Sequence, residues 1–178
     1  DTESSQGIVG VVNRPEFSKT NPPGNLIIAL DKVSDPGNLG TIIRTAYWFG
    51  VDQILLSEGS ADPYNPKVVR STQGGIFHTN ITEDADLAVE LKKLESNGYS
   101  VYLFTLDAKR SLLQISQSAK SDKSVLVFGS EAHGVSQEII EQGFEKVKIE
   151  GYSASESLNV AISAGIALYE FKQRAIEK

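Results

Sequence analysis

Short runs that are apolar at every position, separated by segments of helical length, constrain this chain more than any other feature. Leu26-Ile27-Ile28-Ala29-Leu30 lies between Pro22-Pro23-Gly24 and Asp31, and Val125-Leu126-Val127-Phe128 repeats the pattern far downstream. A run with no polar alternation suits a strand covered on both faces, as in a parallel sheet. Gln53–Ser57 and Val101–Thr105 read the same way, and Val147–Ile149 as a shorter strand. Between them, Thr41–Phe49 is a helix stopped by Gly50, and Asp84–Ser96 is an amphipathic helix with Leu87, Leu91 and Leu94 on one face. Asn65–Ser71 is a short helix opening on a proline, and Ser136 caps another over Gln137–Ile140. Ile76–Ile81 is a strand candidate after Gly74-Gly75, and Ser111–Ser121 a short helix plus loop. Alternating strands and helices define an α/β fold with a mostly parallel sheet flanked by helices.

Near the C-terminus the polar loop Gly151–Glu156 turns into Ser157-Leu158-Asn159 and then an almost wholly apolar helix reaching Tyr169. Such a helix is expected to be buried on every face, in the core or in an oligomer interface, with Ser155 or Ser157 as its N-cap. A polar loop feeding the N-terminus of a buried helix is also a place to hold a ligand.

A length of 178 residues suits one domain with a full core. Residues 1–24 read as a soft linker and 25–178 as the folded unit. The chain opens at Asp1 without a methionine, which fits a piece of a longer protein with a further domain in front. No apolar run reaches the length of a membrane span. The absence of cysteine excludes disulfides and thiolate metal sites and fits a cytoplasmic setting, and two distant histidines, His78 and His133, argue against a metal. The formal net charge of −6 argues against a polyanionic partner on the total, though local patches matter more than the total.

In open α/β sheets ligands bind outside the carboxyl ends of the strands. Those ends are Asp31–Asn38, Thr105–Arg110, Gly129–Gly134 and Gly151–Ser157, all rich in small polar or charged residues. No G-x-G-x-x-G follows a strand, and Gly129–Gly134 has phosphate-loop spacing but is followed by Val135-Ser136 where Lys-Ser/Thr is required. There is no G-x-S-x-G elbow and no HExxH. Dinucleotide-dependent redox chemistry, nucleotide hydrolysis and serine hydrolysis are therefore disfavoured.

Three segments in order, Asn38-Leu39-Gly40-Thr41-Ile42-Ile43-Arg44-Thr45-Ala46, Phe128-Gly129-Ser130-Glu131-Ala132-His133-Gly134-Val135-Ser136 and Ser157-Leu158-Asn159-Val160, resemble the motifs of the SpoU/TrmH family. These are S-adenosylmethionine-dependent RNA ribose 2′-O-methyltransferases of the SPOUT class. The resemblance runs from about Asn25 to Tyr169, and Gln6–Val11 looks like the junction to a small N-terminal RNA-binding domain. It implies a C-terminal deep trefoil knot, a homodimer with shared active sites, and the cofactor bent in the knotted loops. By position, Gly129, Ile149 and Leu158, with Thr105 and Leu106, would hold the cofactor. Asn38, Arg44, Glu131, Ser157 and Asn159 match the polar catalytic set, with Arg44 reaching the partner subunit's cofactor. Glu150-Gly151 stands where the family usually carries Pro-Met, which bears on the local loop conformation.

Methyl transfer to a ribose requires an aimed hydroxyl, loss of its proton and exclusion of water. A neutral Arg44 is a poor base: a guanidinium is protonated throughout the neutral range, and stripping its proton there costs more than general-base catalysis returns. Arg44 is better cast as a charged group that grips a phosphate bidentately and stabilises the developing alkoxide. Glu131 would orient Asn38 or Arg44, Asn38 can double as an N-cap, and His133 is read as a loop histidine without a chemical role. Arg44, Lys67, Arg70, Lys109 and Arg110 are the candidates for a basic strip facing RNA. The leading expectation is a methyltransferase acting on rRNA or tRNA. The alternatives are a catalytically weak RNA-binding or assembly protein and a base methyltransferase of the same class.

Overall fold

The computed structural model describes residues 7, 10–15, 17, 24–118, 122–153 and 157–176. Half of the junction motif (Gln6, Ile8 and Val9), the proposed cap Ser155 and the end of Ser111–Ser121 lie outside the described residues. The strands are β1 (Leu26–Asp31), β2 (Gln53–Leu56), β3 (Ile81–Thr82), β4 (Ser100–Phe104), β5 (Arg110–Ser111), β6 (Ser124–Gly129) and β7 (Glu145–Lys148). The helices are α1 (Pro36–Trp48), α2 (Pro66–Ser71), α3 (Leu87–Ser96), α4 (Leu112–Ser118), α5 (Gln137–Ile140) and α6 (Val160–Ile176). Among the described residues no helix is long and apolar enough to cross a membrane.

All strands are parallel, in the order β3-β2-β1-β6-β4-β7-β5. The unbroken apolar runs have a simple cause: both faces of the sheet are covered. On one face Ile28, Leu30, Leu126 and Phe128 pack against Leu39, Ile42 and Ile43 of α1 and Ala164, Ala167 and Leu168 of α6. On the other, Ile27, Ala29, Val125 and Val127 pack with Leu87, Leu91 and Leu94 of α3 and Ile139 of α5. The strands β1, β6, β4 and β7 are immediate neighbours, so the loops after them meet along one edge of the sheet.

Several local expectations need correction. Helix α1 starts at Pro36, not Thr41, because Asp35 caps it by accepting from Asn38 N at 2.7 Å and proline suits the first turn. Asn38 is thus inside the helix and is not its N-cap. The predicted strand over Ile76–Ile81 shrinks to Ile81–Thr82. Gly74 takes a left-handed φ of +87° and sends Gly75–Phe77 into a 3-10 turn pressed against α1. Ser136 precedes α5 without a side-chain capping bond. The cap of α6 is Asn159, whose Oδ1 accepts from Ala161 N at 2.9 Å and Ile162 N at 3.3 Å, and not Ser157. Within the single chain α6 is covered on one side only: Ile162, Ile166 and Tyr169 form an exposed stripe at helical spacing, which leaves the oligomer-interface form of that expectation open.

Candidate active site

Asn38, Glu131 and Asn159 come from three distant parts of the chain and meet at the carboxyl edge. Asn38 is positioned by the first turn of α1, Glu131 by the loop after β6, and Asn159 by its capping of α6. Asn159 Nδ2 donates to Asn38 Oδ1 at 3.0 Å and to Glu131 Oε1 at 3.0 Å, and Asn38 Nδ2 donates to the same Oε1 at 2.9 Å. The network determines both amide orientations. Because Asn159 Oδ1 is engaged by the backbone of α6, its Nδ2 faces the other two, and Asn38 must then turn its own Nδ2 to the carboxylate. Three side chains are thereby held in one arrangement, in which a carboxylate collects amide donors at the mouth of the strand-end loops.

The loop carrying Glu131 is a tight return. Gly134 N donates to Ser130 O at 2.8 Å, and His133 N to Ser130 Oγ at 3.2 Å, leaving His133 exposed. Gly129 makes the return possible. A Cβ there would lie 1.9 Å from Gly134 C and 2.1 Å from Gly134 O and Val135 N, all backbone. The base of this loop is tied down by Asp31, only 3% exposed, whose Oδ2 accepts from Ser136 N at 2.7 Å. Its Oδ1 lies 3.4 Å from Ser57 Oγ, linking the loop to the end of β2. The sequence places Asp31 at the start of the strand-end loop Asp31–Asn38 without giving it a role. The available signal was an acid directly after five apolar residues, at the edge where ligands bind.

The proposed cofactor residues fall on the same edge. Phe104 is level with Phe128 on one side and Val147 on the other, so Thr105, Gly129 and the residues leading to Ile149 leave three adjacent strands together. Thr105 N donates to Val147 O at 3.0 Å. Thr105 Oγ1 is shut off from solvent without a hydrogen bond of ordinary geometry, yet lies near enough to Asp107 to favour its charged form. The Asp107 carboxyl is held below the usual carboxylate range chiefly by Lys146, whose Nζ is 2.6 Å from Oδ2, and then by Thr105. That pair fastens the loop after β4 to β7. Leu106 and Leu158 are exposed although large and apolar, and Ile149 is half-buried. Large apolar groups left uncovered on strand-end loops can take the apolar part of a ligand. Among the described residues no cluster of three or more His, Asp or Glu could hold a metal ion.

The basic candidates separate into two groups. Arg44 is exposed on α1 and bonds to no described residue; it is not part of the Asn38–Glu131–Asn159 contact, as six residues along a helix turn it away from Asn38. Lys67 and Arg70 are exposed on α2, which packs closely on α1 where Gly40 meets Ser71 and Val68 O. The Lys67 stem passes beside Gly37, next to Asn38. Lys109 and Arg110 lie instead at β5, four strand spacings from β1, or about 19 Å at ~4.8 Å per strand. Arg110 is engaged with the Glu145 carboxylate and with Gln114 O. One continuous strip is therefore not formed within one chain. Ser157 is exposed two residues before the Asn159 cap.

Residues 25–169 match the SpoU rRNA Methylase family. The 23S rRNA (guanosine(2553)-2′-O)-methyltransferase RlmP of Bacillus subtilis is 34% identical over 97% of this chain and 67% of its own length. An AdoMet-bound rRNA methyltransferase from Sinorhizobium meliloti superposes with a TM-score of 0.78 at 34% identity, covering 85% of this chain and 57% of that one. The TrmH/SpoU tRNA modifying enzyme of A. aeolicus superposes with a TM-score of 0.73 at 27% identity, covering 86% and 76%. The chain thus spans between about half and three quarters of these relatives.

Proposed function

Because the chain belongs to the SpoU rRNA Methylase family, we propose that it transfers the methyl group of S-adenosylmethionine to a ribose 2′-hydroxyl of rRNA or tRNA. The observation that carries this reading is the meeting of Asn38, Glu131 and Asn159 beside the Gly129 return. The cofactor, when bound, supplies an electrophilic methyl on a sulfonium. Gly129, Ile149 and Leu158 would hold it largely through backbone groups, with Thr105 and Leu106 closing its apolar side. Asn38, Glu131 and Asn159 position the reacting groups, and Ser157 lies on the loop that would cover them. Arg44 grips a phosphate of the RNA and stabilises the negative charge that develops on the attacking oxygen. Holding the hydroxyl in line removes several kcal/mol of the barrier by proximity alone.

The working form in this reading is a homodimer in the cytoplasm, with Arg44 of one protomer completing the site of the other. Its exposure, its distance along α1 from Asn38 and the apolar stripe on α6 support that arrangement. The sheet order, in which β6 enters between β1 and β4 and β7 between β4 and β5, is consistent with a C-terminal trefoil knot. Lys67 and Arg70 join Arg44 in contacting RNA. Lys109 and Arg110 would touch it only from the far edge, or from the other protomer. Residues 1–24 act as the linker ahead of the catalytic unit of residues 25–178.

Two measurements test the proposal together. Calorimetry with S-adenosylhomocysteine should give heat and a raised melting temperature. Ribose-methylation mapping of rRNA and tRNA, with and without the gene, should show one lost methyl group. Cofactor binding with no lost methyl group would remove the substrate assignment. No cofactor binding would leave an RNA-binding protein that keeps the fold.

A further inference from the structure

The face of α1 that carries Arg44 also carries a pair of stacked aromatic rings. Tyr47 and His78 lie with centroids 4.9 Å apart and planes 15° from parallel. The contact is built by the glycines of the 3-10 turn: a Cβ on Gly75 would come within 3.3 Å of Tyr47 Cβ, so the turn and α1 touch nearly backbone to backbone. Tyr47 nevertheless stays 49% exposed, and Phe77 beside His78 is 43% exposed. Ile76, in the same turn, is buried, so the exposure is particular to the rings. Cationic side chains that pair with no described residue lie along the same two helices: Arg44 one turn before Tyr47, its Cα 3.6 Å from where a Cβ on Gly75 would stand, and Lys67 and Arg70 exposed on α2, which packs against α1 nearer its start. In a chain of net charge −6 such a grouping is local and not a general property of the surface. Exposed aromatic rings beside unpaired cations are how proteins hold single-stranded nucleic acid, the rings taking base faces and the cations taking phosphates.

We propose that the Tyr47–His78 stack, with Phe77, is a platform for an unpaired base of the RNA flanking the nucleotide to be methylated, while Arg44, Lys67 and Arg70 take the neighbouring phosphates. The proposal rests on the RNA-methylation reading. It adds that recognition requires an unpaired base next to the target, which a double-helical substrate does not offer.

The test uses the full chain and fluorescein-labelled oligoadenylate, compared with the same strand carrying abasic riboses. Anisotropy should show the base-bearing strand binding about tenfold more tightly, the scale of one stacked base. His78→Ala should remove that preference and leave binding of the abasic strand unchanged, and His78→Tyr should restore it. Thermal melting and size-exclusion chromatography of each variant monitor folding and assembly. Equal binding of the two strands by the unaltered protein, or an unchanged preference in His78→Ala, would overturn the platform. So would a loss of preference that merely follows dissociation of the dimer, since the rings would then belong to a protein–protein contact. A protein that binds through the platform but transfers no methyl group would instead sink the enzymatic reading and leave the platform standing.

Discussion

Asn159 reaches from the start of α6 to Asn38 on α1, 121 positions earlier, placing Nδ2 3.0 Å from Asn38 Oδ1. One side chain thereby caps a helix and joins two candidate catalytic groups. Asn159→Ala should lose both functions. Removal of the cap costs about 1 kcal/mol, a fall of about 2–4 °C in melting temperature for a chain of this size. Activity should fall much further than stability. Asn159→Asp, which can still cap, should recover the melting temperature but not the rate, because its carboxylate repels Glu131. A variant whose rate loss merely tracks its melting temperature would reduce Asn159 to a cap.

The shared acceptor on Glu131 makes the effects of Asn38 and Glu131 interdependent. In a double-mutant cycle of Asn38→Ala and Glu131→Ala, the double variant should be about as slow as the slower single variant. Simple addition of the two losses would mean that the groups act separately. Glu131→Gln, which keeps an acceptor but loses the charge, should fall between wild type and Glu131→Ala.

Much of this architecture is legible in the sequence because the sheet is covered on both faces. Leu26–Leu30 and Val125–Phe128 advertise themselves as buried strands, and Leu87, Leu91 and Leu94 mark their helix. What the sequence does not disclose depends on contacts it cannot display. Asn38 looks like a cap until Asp35 is seen to hold its N–H, and Ile76–Ile81 looks like a strand until Gly75 is seen against Tyr47. The apolar stretch after Asn159 allows a core or an oligomer interface but does not single out Ile162, Ile166 and Tyr169 as the residues left uncovered in one chain, since period and composition do not reveal what lies opposite. Asp31 escaped notice for a related reason: its role is a bond to Ser136, 105 positions away.

Gly129→Ala should be among the most damaging single substitutions. The three atoms nearest its methyl group would all belong to the backbone of Gly134 or Val135, so no rotamer change relieves the clash. Overpacking of this kind costs about 1–3 kcal/mol. The loop must open to relieve it, moving Glu131 and the neighbouring cofactor contacts. Calorimetry with S-adenosylhomocysteine should show binding weakened by at least about tenfold. Unchanged affinity would place the cofactor elsewhere.

Arg44→Lys keeps the charge but not the two-pronged donor geometry. Loss of a charge-assisted pair of roughly 1.5–3 kcal/mol predicts a fall in kcat/KM of roughly tenfold to a hundredfold. Since Arg44 is exposed and bonds to no described residue, the melting temperature should not change. Full activity in Arg44→Lys would exclude bidentate phosphate gripping.

Tyr99 predicts a measurable alkaline limit. Its hydroxyl donates to Gly24 O at 2.6 Å, and burial, followed by the nearby Asp52 carboxylate, raises the phenol above its ordinary value. A pKa raised on folding contributes stability that is complete below the unfolded value of about 10 and is lost as pH rises through the folded one. Tyr99→Phe should therefore cost about 1 kcal/mol at neutral pH. In denaturant titrations the gap between the two proteins should close as pH rises past about 10. A gap constant with pH would mean that the phenol does not ionise on unfolding in that range.

The stripe on α6 carries the last prediction. Ile162 is 54% exposed and Tyr169 52%, with Ile166 between them one turn from each, on a helix whose other face packs Ala164, Ala167 and Leu168 into the core. A row of large apolar groups along one helix face is a surface a second copy can cover. Ile162→Asp with Ile166→Asp should convert a dimer to a monomer by sedimentation velocity. Each side chain is already uncovered in the single chain, so folding of the protomer should survive. Because Arg44 is proposed to complete the partner's site, the monomer should also lose methyl transfer while retaining most cofactor affinity. Mixing this variant with Arg44→Ala should not restore activity, since the first cannot associate. A dimer that persists in the doubly substituted protein would place the interface away from α6.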